Sequence, residues 1–191
     1  MPGWELRVTR LGVQQKQGST PPARTYGSYQ VYIDDAPVQG LSGNICERRG
    51  RGDNTHNGVA SHSRIAAGTY PLSTQFGRYR SVNYSDGATD ETHPPAFRVM
   101  NTGARTAILV HPAHRPHLYL SSIGCFNPTR PLGDADDMDF TESRARVIAM
   151  LDSLRQHDAA AFERHNVGTN TPIANASLVI TGEPMGAVPT A

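Results

Sequence analysis

Lysine is almost missing from this chain: Lys16 is the only one, and every other positive side chain apart from histidine is an arginine. Cysteine is scarce, with two among 191 residues, tryptophan occurs once, and no apolar run approaches the length of a membrane span. Two cysteines make no disulfide framework, and Cys46 and Cys125 lack metal-ligand spacing, so both are expected as free thiols. Charge of one sign is lacking as well. A net charge of +1 gives no field that would hold nucleic acid or a membrane surface. The one basic cluster, Arg48-Arg49-Gly50-Arg51, reads as a solvated loop, and Arg51-Gly52-Asp53 carries no weight as a three-residue motif. The N-terminus, Met-Pro-Gly-Trp-Glu-Leu-Arg-Val, has no basic stretch followed by an apolar one, so a Sec-type signal is not expected. The expectation is a soluble protein without membrane insertion. It either stays in the cytoplasm or leaves it by a route that reads no N-terminal signal.

Turn formers are plentiful: 18 glycines and 14 prolines beside 37% hydrophobic residues favour short strands joined by loops over a helical bundle. The length fits one domain, assigned to 1–182, with a loose tail at 183–191. Trp4-Glu-Leu-Arg-Val-Thr-Arg-Leu11 and Tyr29-Gln-Val-Tyr-Ile33 alternate at period two, as half-buried strands do. The polar Gln14 to Arg24 between them reads as a mobile connection. Further strands are predicted at Val38 to Glu47, Tyr70 to Leu72, Phe97 to Met100, Ala107 to Val110 and Ser177 to Thr181, with polar loops at Arg49 to Ser63 and Ser81 to Pro95. One segment is helical by pattern. In Thr141 to His157 the residues Val147, Met150, Leu151 and Leu154 form a single stripe, and Asp139 with Glu142 gives a capping start. Ala159 to His165 extends that helix or forms a short second one. The fold class expected is mainly β, a β-rich α+β domain with one main C-terminal helix.

The chemistry concentrates in Ile108 to Asn127. His111 ends the apolar run Ala107-Ile-Leu-Val110, so it should emerge at the end of a rigid strand. Ser122-Ile-Gly-Cys125 is a tight turn in which Gly124 lets the backbone approach a reacting carbonyl and leaves amide groups to hold an oxyanion. A thiol needs a base and partial access to react, and His111 is placed to be that base. Residue types alone leave two readings open, an activated thiol with its base or a buried thiol beside a surface imidazole. If Cys125 is catalytic, its titration is expected well below that of a free thiol. His114 and His117 add a His-x-x-His-x-x-His spacing, but Pro112 and Pro116 oppose helical ligand geometry and no carboxylate motif accompanies them, so no metal or other cofactor is expected. Arg78, Arg115 and Arg130 are candidates to meet a substrate carboxylate, although solvated arginines serve as well.

These residues resemble the L,D-transpeptidase (YkuD-like) catalytic domain, which carries a strand-end histidine followed by Ser/Thr-His-Gly-Cys, a variable residue, and Asn or Arg. His111, Ser122, Gly124, Cys125 and Asn127 match that pattern, and Ile123 stands where the family has a histidine. Cys46-Glu-Arg48 and Ile65-Ala-Ala-Gly-Thr-Tyr-Pro71, in the same order along the chain, are similar to a smaller phage and bacterial group of the superfamily, DUF5675. The resemblance spans roughly residues 26 to 156. It implies a sandwich-like β fold and cysteine-dependent acyl transfer on peptidoglycan stem peptides. Cys125 would be the nucleophile, His111 the base, Gly124 and Ser122 the oxyanion turn, and Arg115, Asn127 and Arg78 substrate contacts. The product would be a cross-link, an exchanged D-amino acid or a hydrolysed peptide. It also implies action in the periplasm or cell wall after delivery by a secretion system or phage, with an immunity protein or a particle component as partner. The other reading is a non-catalytic structural or binding module of such a particle that keeps the fold.

Overall fold

The structure is a computed structural model, and it describes residues 3–17, 23–56, 63–84, 92–163 and 168–184. The period-two pattern at the N-terminus forms strand β1 (Trp4–Gln15), with Trp4, Leu6 and Val8 buried and Glu5 and Arg7 turned outward. It pairs antiparallel with β2 (Ala23–Ile33), which returns through Asp34 and Asp35 into β3 (Ala36–Arg48). Both aspartates hold positive φ, 54° and 63°, as a two-residue hairpin that matches strand twist requires. There follow β4 (Gly68–Thr74), β5 (Phe97–Val99), β6 (Leu109–Val110), β7 (Asn127–Thr129), helix α1 (Phe140–His157), a 3-10 turn (Ala159–Phe162) and β8 (Pro172–Thr181). All eight strands belong to one sheet in the order β6-β5-β4-β8-β1-β2-β3-β7. The expected β-rich class with one main helix is therefore observed. A single sheet does the enclosing: its edges β6 and β7 come together through the Val110–Phe126 bridge, so it is nearly closed as a barrel.

The stripe Val147, Met150, Leu151 and Leu154 of α1 is fully buried in the main core. Asp139 caps the helix by accepting the Glu142 N–H at 2.8 Å. Trp4 fixes β1 to the helix by donating its indole N–H to Ser153 Oγ at 3.0 Å and meets Phe97 edge-on at 6.2 Å between centroids.

Three expectations are corrected. Both ends of the supposed connection from Gln14 to Arg24 are strand, 14–15 in β1 and 23–24 in β2, and Gln14 and Arg24 are buried, while its residues 18–22 lie outside the described residues. Arg24 donates to Gln14 Oε1 at 2.9 Å and to the carbonyls of Tyr119 and Gly133, which compensates its lost hydration. Arg48 is buried rather than solvated, for reasons given by the turn it holds. The chain is also not loose directly after residue 182, because Glu183 pairs with the buried Arg10 at 3.1 Å and Arg64 at 2.7 Å. Residues 57–62, 85–91 and 185–191 of the expected loops and tail, and 164–165 of the expected second helix, lie outside the described residues. Among the described residues no helix is long and apolar enough to cross a membrane.

Candidate active site

The two edges of the sheet each contribute one half of the site. His111 follows β6 directly, and Cys125 lies two residues before β7. Between these edges the Phe126 N–H donates to Leu109 O at 2.8 Å and the His111 N–H to Phe126 O at 3.0 Å. Alternation along the paired segments sends Val110 and Phe126, both fully buried, to the core. His111, Cys125 and Asn127 accordingly share the opposite face. Cys125 and His111 both line a cleft of about 500 Å³, together with Arg78, Tyr79, His114 and Ile123.

The turn carrying the thiol is held from both sides. Ser122 Oγ accepts the Gly124 N–H at 2.8 Å and donates to Cys125 O at 2.7 Å. Gly124 sits at φ 152°, and a Cβ there would run into the Arg105 guanidinium, so only glycine fits. Arg105, itself buried, donates to Ile123 O at 3.2 Å and to Ser63 O at 2.7 Å, and Arg48 reaches the same Ile123 carbonyl at 3.4 Å. With its carbonyl so held, the Ile123 side chain stands 62% exposed at the cleft rim. Ser122 and Gly124 are thus the turn, as expected. The Gly124 amide is engaged by Ser122, which corrects the expectation that it would serve an oxyanion.

Cys46 and Cys125 are both free thiols. The Cys125 thiol hydrogen-bonds to Ala107 O at 3.6 Å and receives the Leu109 N–H at 3.3 Å, not the imidazole. Burial pushes this thiol up from its ordinary value, and the Leu109 N–H, Ser122 and the Arg105 charge pull the other way without overcoming it. The expected low titration is therefore reversed. His111 is buried, with Nδ1 2.8 Å from Pro112 O. A carbonyl can only accept, so Nδ1 carries the proton and Nε2 bears the lone pair. Asn127 braces the same residue from behind by donating to His111 O at 3.0 Å. Burial pushes the imidazole down to about 4. The Pro112 bond opposes that, and the charges of His114 and Arg78 add to it. At neutral pH the cleft thus holds a neutral thiol and a neutral imidazole with a lone pair on Nε2.

Tyr79 packs against the His111 ring at 4.6 Å, and His114 stacks near it at 5.7 Å. Arg78, one of the arginines singled out in the sequence, is exposed and lines the cleft. Arg115 is exposed and does not line it, its carbonyl instead lying 3.1 Å from His114 Nδ1. Asn127 acts behind His111 rather than in the cleft, and Arg130 faces Glu142 and the Pro131 carbonyl. His114 and His117 both line the cleft, yet among the described residues no three His, Cys, Asp or Glu side chains gather in a metal-holding group. A smaller hollow of about 260 Å³, lined by Arg105, shares Ala107, Ile123 and Cys125 with the cleft. Sequence reasoning assigned no site role to Tyr79 or Arg105 and none in the turn to Arg48, because only the fold brings their side chains to the His111 ring and the Ile123 carbonyl.

The chain matches no family model, no curated protein and no solved structure.

Proposed function

We propose that this cleft is the active site of a cysteine-dependent acyltransferase acting on peptidoglycan stem peptides. The observation that carries the reading is the pairing of a half-buried free thiol with a buried, Nδ1-protonated imidazole on one face of the sheet seam. In the proposed reaction Cys125 Sγ attacks the carbonyl carbon of a stem-peptide amide while His111 Nε2 takes the thiol proton. The oxyanion of the tetrahedral intermediate is met by the Cys125 N–H. The C–N bond then breaks, the leaving amine takes the proton from the imidazolium, and a thioester remains on Cys125. An acceptor amine attacks that thioester, gives its proton to His111 and restores the thiol, which forms a cross-link or exchanges a D-amino acid. Water in place of the amine gives a carboxypeptidase or endopeptidase. Because peptidoglycan lies outside the cytoplasm, the proposal includes delivery by a secretion or phage particle, with an immunity protein as the natural partner of such an effector.

Two observations favour the non-catalytic module instead. Burial raises rather than lowers the thiol, and an exposed isoleucine stands at the rim where a docking protein would meet it. Mass analysis of muropeptides incubated with the protein separates the readings. The enzyme is expected to convert stem peptides, Cys125→Ala to abolish conversion, and His111→Ala to slow it by about 100-fold or more. Conversion by Cys125→Ala within severalfold of the unmodified chain would end the thiol mechanism.

A further inference from the structure

Outside the lining of the cleft, two arginines buried almost completely meet at one carboxylate. Arg10 of β1 donates Nε and Nη2 to the buried Glu47 at 2.5 and 2.9 Å, and its Nη1 donates to Glu183 Oε1 at 3.1 Å. Arg64 donates Nη1 to Thr25 Oγ1 at 2.9 Å and to Gly50 O, and Nη2 to Glu183 Oε2 at 2.7 Å. Glu47 is thus taken by Arg10, and Glu183 is the one carboxylate that Arg64 pairs with among the described residues. Arg64 Nε is buried with no hydrogen-bond partner among the described residues. Two glycines shape the recess. Gly182 sits at φ 85°, where a Cβ would lie 2.7 Å from Arg10 O, and a Cβ on Gly52 would lie 2.6 Å from Glu183 Oε1. The Glu183 side chain nevertheless stays 49% exposed, so it can leave toward solvent without any strand being moved.

We propose that Arg10 and Arg64 form a carboxylate-binding site that Glu183 fills in cis, and that filling it holds the turn carrying Cys125. The two guanidinium groups present one donor to each oxygen of a carboxylate. With Glu47 already offsetting one of the two cations, the recess matches a single negative charge, a carboxylate rather than a phosphate dianion. Emptied, the site leaves Arg64 a buried cation without a carboxylate, a costly state that is relieved by moving the guanidinium toward water. That movement draws on Ser63, the preceding residue. The Ser63 carbonyl takes Arg105 Nη1 at 2.7 Å, and Arg105 Nη2 donates to Ile123 O at 3.2 Å and packs against Gly124. A displaced Ser63 therefore loosens the clamp on the turn, two residues from the sulfur. The inference stands apart from the stem-peptide reading, since it concerns access to the thiol and not what the thiol attacks.

Iodoacetamide labelling of Cys125 in Glu183→Ala tests this. At fixed pH the rate is expected to rise about fivefold or more over the unmodified chain. Acetate should bring it back along a saturating curve in the millimolar range, the strength of a small ion in a preformed recess. Chloride at the same ionic strength should not, and acetate should leave the unmodified chain, whose site is filled, unchanged. Glu183→Gln keeps the shape without the charge and should label nearly as fast as Glu183→Ala. Cys46 reports on the fold and should stay unlabelled throughout, because a general loosening would expose both thiols. The proposal is overturned by an unchanged Cys125 rate in Glu183→Ala, by a rate in Glu183→Gln equal to that of the unmodified chain, or by equal recovery in acetate and chloride. An acetate effect of the same size on the unmodified chain, or labelling of Cys46 together with Cys125, overturns it as well.

Discussion

Cys125 and His111 are moved by burial in opposite directions, the thiol up and the imidazole down to about 4, so in the proposed reaction proton transfer would accompany attack rather than precede it. Alkylation by iodoacetamide reads the first shift directly. The Cys125 rate is expected to climb with pH along a curve centred above the free-thiol value of about 8.5. Cys46 is 1% exposed, packs with Ala113 and Met138, and is raised to about 11, so it should react only on unfolding. A Cys125 midpoint below the free-thiol value would mean a preformed thiolate and would contradict this account. The second shift appears in stability. Folded His111 binds its proton more weakly than the unfolded chain does, so unfolding takes up a proton between about pH 6.5 and pH 4. That contribution is fully present above pH 6.5 and is lost as pH falls through about 4. The loss amounts to about 3 kcal/mol. Urea midpoints at pH 7 and pH 4 should therefore differ more in the unmodified chain than in His111→Gln, and an identical difference would show that His111 is not the group responsible.

At the scale of elements, the turn from Ser122 to Cys125 sets where the sulfur sits. Ser122→Ala removes both the acceptor for the Gly124 N–H and the donor to Cys125 O. Its expected cost is about 1–3 kcal/mol in urea unfolding, with faster Cys125 alkylation as the turn loosens. Gly124→Ala should be worse than Ser122→Ala, since it combines a left-handed φ with a clash against buried Arg105. An unfolding midpoint for Gly124→Ala equal to that of the unmodified chain would contradict the packing described. Strands and helix were legible because their patterns are local: alternation marked β1, and the stripe ending at Leu154 marked α1. His111 and the Ser122-x-Gly-Cys125 turn were legible for the same reason, as a strand end and a small-residue turn. The buried strand ends at Gln14 and Arg24 were not, because their polar side chains enter the interior only through carbonyls supplied from Tyr119, Leu132 and Gly133. Arg105 has no local pattern to mark it either; only the fold sets Gly124 against it.

In the whole molecule, Cys125 and His111 come from opposite edges of an eight-stranded sheet, so the cleft they share exists only while the sheet curls far enough to bring those edges together. Strand β8 governs that curl. It lies between β4 and β1, antiparallel to the first and parallel to the second, and in the strand order it alone joins β6-β5-β4 to β1-β2-β3-β7. The last described strand in the chain is therefore a condition for a thiol site far from it in sequence. Leu178 is fully buried in β8, opposite Leu6 and Tyr70. Leu178→Pro removes a ladder donor in a central strand and should cost about 3 kcal/mol or more. Leu178→Ala leaves a cavity and a similar loss of about 2–5 kcal/mol, but it keeps the ladder. The two variants separate stability from closure. Under native conditions Leu178→Ala should retain the slow, high-pH alkylation of Cys125, whereas Leu178→Pro should let Cys125 react as a free thiol does, because the seam beside His111 has opened. If Leu178→Pro instead keeps the alkylation curve of the unmodified chain, closure of the sheet does not control the site.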